Sequence, residues 1–455
     1  MDMGCVVINS KEDKQTSIMV KLGDVIRTQK GKKPKVLVSK PEPEYLPYID
    51  IKAFEQNKFD NYTDGEKCLP CDEGDLLIVW DGARCGLTGL AHKGYVGSTL
   101  QKIWIPNVDN KYLLYFLRSK YTILNSKNQG SGTPHIKPEI LMNFKIPLPP
   151  LAEQHRIVAK IEELFAELDR GIASLEKAKA QLKTYRQAVL KSAFEGEFTS
   201  EWRENKHLSH DDVQKCLSNI IDYSAKFLDG NGGQFSLSVP TEWEVVKLGN
   251  LFRVDIGATP SRKIPSYWNG DINWVSSGEV TFNHIKITNE KITEDGLSHS
   301  STHLQPIGTV LLAMIGEGKT RGQAAILDVP AAHNQNTAAI LVSLTSCSPE
   351  YVYYYLFYNY ENLRRVGSGN NQKALNKERV RSIKIPFTTF EEQQQIVSAI
   401  ETRLSFCDSL EKSIDSSLKN ADLLRMSILK KAFAGELLKQ DPADAPSLIL
   451  SKENT

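Results

Sequence analysis

The chain repeats a 54-residue segment within itself. Residues 145–198 begin KIPLPPLAEQHRIVAKIEELFAELD and end AVLKSAFEGEF; residues 384–437 begin KIPFTTFEEQQQIVSAIETRLSFCD and end SILKKAFAGEL. The two align without a gap at an offset of 239 residues, with 18 identities. An internal repeat constrains architecture before any local signal does. Here the offset exceeds half of the 455 residues, so the chain reads as two tandem halves and not as a solenoid of short repeats.

Each copy reads as one long helix. In the first, Ile161, Leu168, Leu175, Leu182 and Val189 recur at every seventh position. Ile157, Leu164, Ala178 and Tyr185 occupy the second apolar position, with Gly171 its weak point. Such a seam packs one helix against another. Pro149 and Pro150 stand where proline is tolerated at a helix start, and Gly196 suits a C-terminal cap. About 43 helical residues make a rod about 65 Å long. The second copy keeps the seam through Ile396, Ile400, Leu410, Ile414, Leu424 and Ile428. Arg403, Cys407, Ser417 and Ala421 weaken it, with Leu404 and Leu418 one position away. Burial of each stripe against its own domain is one reading. Two matching rods, each longer than an ordinary domain helix and separated by a whole domain, favour an antiparallel coiled coil.

The segments before the rods also match. Both open Lys-Leu-Gly, at residues 21–23 and 247–249. Both carry an apolar strand running into a Gly-rich turn, DLLIVWDGARCG from Asp75 and TVLLAMIGEGKTRG from Thr309. Both then carry an aromatic stretch, YLLYFLRS from Tyr112 and YVYYYLFYNY from Tyr351, and a Gly-Ser-Gly loop, GSGTPHIKP from Gly130 and GSGNNQKALN from Gly367. The tyrosine run reads as a buried helix with polar tyrosine edges and not as a membrane or stacking element. The fold class is therefore α+β, two tandem blocks each followed by a long helix. The expected partition is an N-terminal arm (1–20), a first block (21–144), a first rod (145–198), a connector (199–240), a second block (241–383), a second rod (384–437) and a C-terminal tail (438–455).

Composition is that of an ordinary globular protein, 40% hydrophobic and 24% charged, with a net charge of +1. Overall charge therefore does not announce a nucleic-acid partner, and any basic surface must be local. One such stretch is 27–40, which holds Arg27, Lys30, Lys32, Lys33, Lys35 and Lys40 and no acid. Lys and Arg neutralise phosphates, while Arg, Asn and Gln read base edges. A charge run is usually a solvated loop, but amide-rich loops repeated in both blocks shift the balance toward DNA. The candidate contacts are Lys30, Lys32, Lys33, Arg84, Gln129, Ser131, Thr133 and His135 in the first block. In the second they are Ser261, Arg262, Lys263, Lys319, Arg321, Asn370, Asn371, Gln372 and Lys373. His135 alone is more often a structural or solvent histidine.

Other classes lose ground. No apolar stretch reaches the length of a membrane span, and no basic segment followed by an apolar core opens the chain. Seven scattered cysteines fit reduced thiols, so a cytoplasmic location is expected. Cys68 and Cys71 form a lone CxxC without a second ligand pair at zinc spacing, which reads as two thiols in a loop. Residues 313–320, AMIGEGKT, fit a relaxed phosphate-loop pattern. The following RGQAAILDVP leaves no room for the helix such a loop requires before Pro330, so a hairpin turn is expected, with Lys319 and Arg321 available to DNA. There is no S-adenosylmethionine loop, no Asn/Asp-Pro-Pro-aromatic tetrapeptide and no nuclease-like cluster. No catalytic and no metal-binding residue is assigned.

From Lys21 to Leu437 the chain resembles the specificity subunit of type I restriction–modification systems. The resemblance is carried by the paired K-I-P-x-x-x-x-x-E-Q-x-x-I-V segments (145–158 and 384–397) and the paired A-F-x-G-E endings (193–197 and 432–436). EYLPYIDIKAFEQNK from Glu44, TPSRKIPSYWNGDINWVSSGEV from Thr259, and Trp202-Arg203 after the first ending also fit. The second ending departs, running LLKQDPADAP without Trp. The resemblance implies two target recognition domains, each reading half of a split double-stranded DNA site. It implies rods that act as spacer and as docking surface for two modification subunits. It places S-adenosylmethionine, ATP and magnesium in the modification and restriction subunits, and none of them in this chain. Two alternatives stay open at this point. One is a stand-alone two-site DNA-binding or architectural protein. The other is an enzyme, an ATPase using Lys319 or a fused methyltransferase, which nucleotide binding by the purified chain would reveal.

Overall fold

The computed structural model describes residues 18–126, 134–221, 237–316, 318–365 and 375–439. The chain divides into two compact units, residues 1–176 with 415–455, and residues 177–414.

In the first unit the strands are β1 (Ile18–Lys21), β2 (Arg27–Lys30), β3 (Leu46–Ile49), β4 (Tyr62–Thr63), β5 (Leu69–Cys71), β6 (Leu76–Val79), β7 (Thr88–Leu90), β8 (Gly94–Val96), β9 (Leu100–Trp104) and β10 (Lys145–Leu148). Helix α1 (Asn110–Ser119) precedes β10, and the first rod, α2 (Leu151–Phe194), follows it. One sheet has the order β2-β9-β6-β7 and another β4-β3-β8-β5. β6 shows why both are needed. All four of its apolar residues are buried, since side chains alternate across a strand and both faces are covered. Leu76 and Ile78 join a cluster with Ile103, Tyr112 and Phe116; Leu77 and Val79 join another with Ile49, Leu69 and Val96. Helix α1 is started by Asp109, whose carboxylate accepts from the Tyr112 N–H at 2.8 Å.

The second unit repeats this plan. A helix, α3 (His210–Ile221), leads into β11 (Glu244–Lys247), β12 (Val254–Ile256), β13 (Trp268–Val275), β14 (Asn283–Ile285), β15 (Glu290–Ile292), β16 (Val310–Ala313), β17 (Ala324–Leu327), β18 (Ala331–His333), β19 (Thr337–Ile340), helix α4 (Pro349–Tyr358), β20 (Lys384–Phe387) and the second rod, α5 (Phe390–Phe433). The sheets run β12-β19-β16-β17-β14 and β15-β13-β18. Again the central strand splits its residues, Val310 and Leu312 to one core, Leu311 and Ala313 to another. Within 199–240, Val213, Leu217 and Ile220 of α3 pack into the core of this unit.

The repeated segment begins as strand, not helix. Ile146 pairs with Val20 and Ile385 with Val246 in two-stranded antiparallel ribbons. Proline is tolerated at such an edge, and its carbonyl is used: Pro147 O accepts the Tyr112 hydroxyl at 2.8 Å and Pro386 O accepts that of Tyr351 at 3.0 Å. The shared glutamine ties each rod to its block. Gln154 Oε1 accepts from Asp109 N at 3.0 Å, and Gln393 Oε1 accepts from Ser348 N at 3.0 Å. Both acceptor interactions fall at the residue that caps the aromatic helix.

The other end of each rod closes the opposite block. In the first unit Phe433 stands edge-on to Tyr112 (5.2 Å) and Phe116 (5.3 Å). In the second Phe194 does the same to Tyr351 (5.2 Å) and Tyr355 (5.1 Å). Ile157 and Ile161 share a core with Ile428, Leu429 and Ala432; Val189 and Leu190 share one with Ile396 and Ile400. Low positions of one helix meet high positions of the other, so the rods run antiparallel. Crossed ion pairs follow the same rule. Arg425 pairs with Asp169 in the first unit. In the second, Arg186 pairs with Asp408 at 2.7 Å and Glu411 at 3.0 Å.

Each rod is 44 residues long. Seam burial is complete near the blocks, at Ile161, Ile396 and Ile400, and Ile414 is also buried. It thins along the rods: Leu168, Leu175 and Leu182 are half-buried and Leu424 half-exposed. Leu168, Leu175, Ala421 and Leu424 border an apolar groove of about 520 Å³ in the first unit, where Gly171 contributes no side chain.

Two outcomes follow. Phe194→Ala and Phe433→Ala should each cost about 3–5 kcal/mol, read by denaturant unfolding, with protection from hydrogen exchange lost around Tyr351 for the first and around Tyr112 for the second. Gly171→Ala should instead stabilise by about 0.5–1 kcal/mol, because a Cβ there meets nothing within 4 Å and helical glycine carries that entropic cost.

Candidate nucleic-acid interface

Strand pairing brings the basic loops of each unit to one end of its larger sheet. In the first, Lys30 is opposite Gln101, Val79 opposite Leu100 and Ile78 opposite Thr88. The loops that leave β2 and β6 and those that enter β9 and β7 therefore share that end. The segment that returns at Pro134 joins them, since Gly82 N donates to Pro134 O at 2.7 Å and Ile136 N to Trp80 O at 2.9 Å. The second unit matches. Ile256 is opposite Ala338, Ala313 opposite Thr337 and Leu312 opposite Ala324. Leu375 N donates to Met314 O at 3.0 Å, as Ile136 does to Trp80. Loops carry function because a rigid scaffold can present them while they vary.

The first unit gathers five of the expected residues here. Lys30 ends β2 and pairs with Asp81 at 3.0 Å. Lys32 and Lys33 are exposed in the loop that follows. Arg84 lies on the turn after β6 and pairs with Glu55. His135 is exposed, and its backbone bridges to that of Asp81. Gln129, Ser131 and Thr133 lie outside the described residues, as do Asn370, Asn371, Gln372 and Lys373 in the second half.

In the second unit Ser261, Arg262 and Lys263 sit exposed on the loop leaving β12. The Ser261 carbonyl accepts from Trp268 Nε1 at 3.3 Å. Arg262 grips Glu290 with both arms of its fork, at 2.6 and 2.8 Å, and lies 4.2 Å above the Trp268 ring. Hydrogen bonding from Arg262 holds the Glu290 carboxyl below its ordinary range, and Glu290 in turn raises the guanidinium. Lys319 and Arg321 share the turn between β16 and β17. These strands are antiparallel, so the connection from β16 to β17 is a hairpin, and a strand, not a helix, follows Lys319 and Thr320. The turn is pinned to the helix Tyr360–Arg365: the Tyr360 hydroxyl donates to Lys319 O at 2.5 Å, Arg364 to Gly318 O at 2.6 Å and Arg321 to Arg364 O at 2.9 Å. Arg321 is half-buried and braces the turn.

Sequence reasoning missed the residues that organise these loops. Gln335, exposed between β18 and β19, accepts from Thr259 Oγ1 at 2.6 Å, and Asn336 O accepts from Met314 N at 2.8 Å. The loop 334–336 thus ties the Arg262 loop to the Lys319 turn. Beside it His333 is fully buried, its Nδ1 2.7 Å from Thr337 Oγ1. Its carbonyl accepts from Ala258 N at 2.9 Å at the base of the Arg262 loop. None of these contacts has a sequence signal, since each depends on pairing between distant strands.

Cys71 is buried in β5, its Sγ 3.5 Å from His92 O, and burial pushes its thiol up to about 12. Among the described residues no group of three His, Cys, Asp or Glu is placed to hold a metal, and no helix is long and apolar enough to cross a membrane.

Burial lowers the His333 pKa to about 4 from an ordinary 6.5. Because the folded value is depressed, protonation favours unfolding. The stabilisation from neutral His333 is complete above pH 6.5, is lost as pH falls toward 4, and amounts to about 3 kcal/mol at most. Melting of the wild type and of His333→Gln between pH 7 and 4 should show the shallower acid dependence in the variant.

A family model described as the type I restriction modification DNA specificity domain matches residues 14–180 and 240–420. The type I restriction enzyme MjaVIII specificity subunit of Methanocaldococcus jannaschii is 28% identical over 86% of this chain and 86% of its own. The type I restriction enzyme EcoKI specificity subunit of Escherichia coli K12 is 28% identical over 90% of this chain and 86% of its own. Two solved structures share the fold at 19% identity. A chain from a study of complex assembly and conformational transition in a type I system has a TM-score of 0.62 over 92% of this chain and 98% of its own. The crystal structure of the HsdS subunit from Thermoanaerobacter tengcongensis has a TM-score of 0.56 over 93% and 98%.

Proposed function

Because the chain belongs to the type I restriction–modification DNA specificity family, we propose that its two blocks are target recognition domains that read the two halves of a split site in double-stranded DNA. The observation that carries this reading is the duplicated sheet end. Each unit presents its basic loops together at the equivalent end of its larger sheet, with Lys30, Lys32, Lys33 and Arg84 in one and Arg262, Lys263 and Lys319 in the other. Lys32, Lys33, Lys263 and Lys319 serve phosphates, while the arginines and Lys30, with Gln129, Asn370, Asn371 and Gln372, serve base edges. Ser131, Thr133, His135, Ser261, Arg321 and Lys373 complete the proposed contact set.

The chain is a non-catalytic component, and the methyl transfer and cleavage belong to partners. Two modification subunits dock along the rods, and restriction subunits join them, in the cytoplasm. S-adenosylmethionine, ATP and magnesium are held by those partners. Phe406 and Leu423 of α5, 63% and 69% exposed and outside the inter-rod seam, support a docking role for the rods.

Replacing residues 21–144 with the block of another family member should change one half of the methylated motif and leave the other intact. Methylation mapping of the assembled complex reads this. A change in both halves would refute independent reading.

A further inference from the structure

The candidate DNA-facing cations fall into two groups. Among the described residues Lys32, Lys33 and Lys263 have no carboxylate at ion-pairing distance. Lys30, Arg84 and Arg262 each hold one: Asp81, Glu55 and Glu290. All three cations are more than half exposed, at 53, 62 and 57%, while their acids are less so, at 30, 13 and 37%. The acids are set back on the scaffold and the cations lean outward over them. Arg262 also lies 4.2 Å over the Trp268 ring, beside a polar groove of about 560 Å³ that Asn269, Thr288 and Asn289 help to line.

We propose that Glu290, Glu55 and Asp81 are specificity determinants: each carboxylate removes the advantage a bare cation would gain from any phosphate, so that its partner is released only to a base edge. This rests on the reading of these loops as the DNA interface. A phosphate that takes Arg262 must break the fork to Glu290 and then face a carboxylate of its own sign. The exchange trades one exposed ion pair for another of similar worth, about 0.2–1 kcal/mol, and leaves a like-charged carboxylate beside the phosphate, so arbitrary DNA gains little. A base edge satisfies both partners. Guanine offers O6 and N7 to the arginine, and the amino group of a paired cytosine donates to the carboxylate left behind. The same device occurs in both blocks, Lys30–Asp81 and Arg84–Glu55 in the first and Arg262–Glu290 in the second. Sequence-independent affinity is limited to the unguarded lysines, and arginine contacts are reserved for reading.

The test measures the full chain binding to a mixed-sequence duplex, across a salt series, for the wild type, Glu290→Gln, the pair Glu55→Gln with Asp81→Asn, and Arg262→Gln. Each neutralised acid should tighten mixed-sequence binding roughly 3- to 10-fold at low salt, the scale of one charge several ångströms from a phosphate in a mostly aqueous setting. The slope of log K against log salt should steepen by about 0.9 per cation released to the backbone. Methylation mapping of the complex carrying Glu290→Gln should show off-target sites differing from the motif in one half only. Unchanged affinity and slope in the acid variants, with weakened binding by Arg262→Gln, would overturn the guarding role and leave the interface reading intact. No change in any variant, Arg262→Gln included, would overturn the interface reading itself.

Discussion

Neither block closes its core without the far end of the other copy's rod. The aromatic helix of the first block, Tyr112 and Phe116, is capped by Phe433 with Leu429 and Ala432 behind it. That of the second, Tyr351 and Tyr355, is capped by Phe194 with Leu190 and Ala193. Aromatic edge-to-face contacts add to a large apolar burial. The rest of the fold depends on this exchange, because it is what makes each rod belong to two cores. It also explains which residues the repeat preserves. Lys-Ile-Pro forms the ribbon that receives the tyrosine hydroxyls, the glutamine holds the backbone N–H of the residue that caps the aromatic helix, and Ala-Phe fills the opposite block. Asp169 and Asp408 take Arg425 and Arg186 as crossed partners.

A contact between Tyr112 and Phe433 is very distant in sequence, and loop closure of that size is slow to form. The first block emerges early in synthesis but cannot be completed until the last helix has been made. The second block waits for nothing beyond the rod that follows it. A shared plan thus leaves the two halves unequal in folding while equal in what they present. In both, the loops at the candidate interface leave strands buried on two faces, β6 and β16. The loops can therefore vary without disturbing the core.

Much of this was legible in the residues and some was not, for physical reasons. The repeat, the heptads at Ile161 and Ile400 and the glycine at 196 each have a local signature, and the structure places them in an antiparallel rod pair with Gly196 left-handed at the helix end. Pro149 and Pro150 mark the start of the first rod, which begins at Leu151. That residues 145–148 and 384–387 form strands had no local signature, because their partners at 18–21 and 244–247 lie more than a hundred residues away. The seam at Leu182 and Leu424 is apolar in sequence and only partly covered in fact. Two helices bury one narrow stripe, and the blocks add their cover only at the ends. At the candidate interface the basic loops were visible, but Asp81, Glu55 and Glu290, which pair with those cations, come from separate elements.

The two junctions differ most where the second copy departs from the first. The glutamate beside the shared glutamine, Glu392, is fully buried. It accepts from Arg203 and Thr199 at 2.7 Å each and from Trp243 Nε1 at 2.8 Å. Breaking a buried pair of this kind by removing one partner costs about 3–5 kcal/mol, because it strands the other charge. Arg203 and Thr199 lie just past the end of the first rod, so this network fixes the chain where it turns toward the second block. At the same offset after the second rod stand Leu438 and Pro442, neither of which can donate a side-chain hydrogen bond. Glu153, the matching glutamate of the first copy, therefore cannot be held by those two positions in the same way. The aromatic plug is common to both junctions, and at the second junction the Glu392–Arg203–Thr199 network adds an ionic lock that ties the end of the first rod to the start of the second.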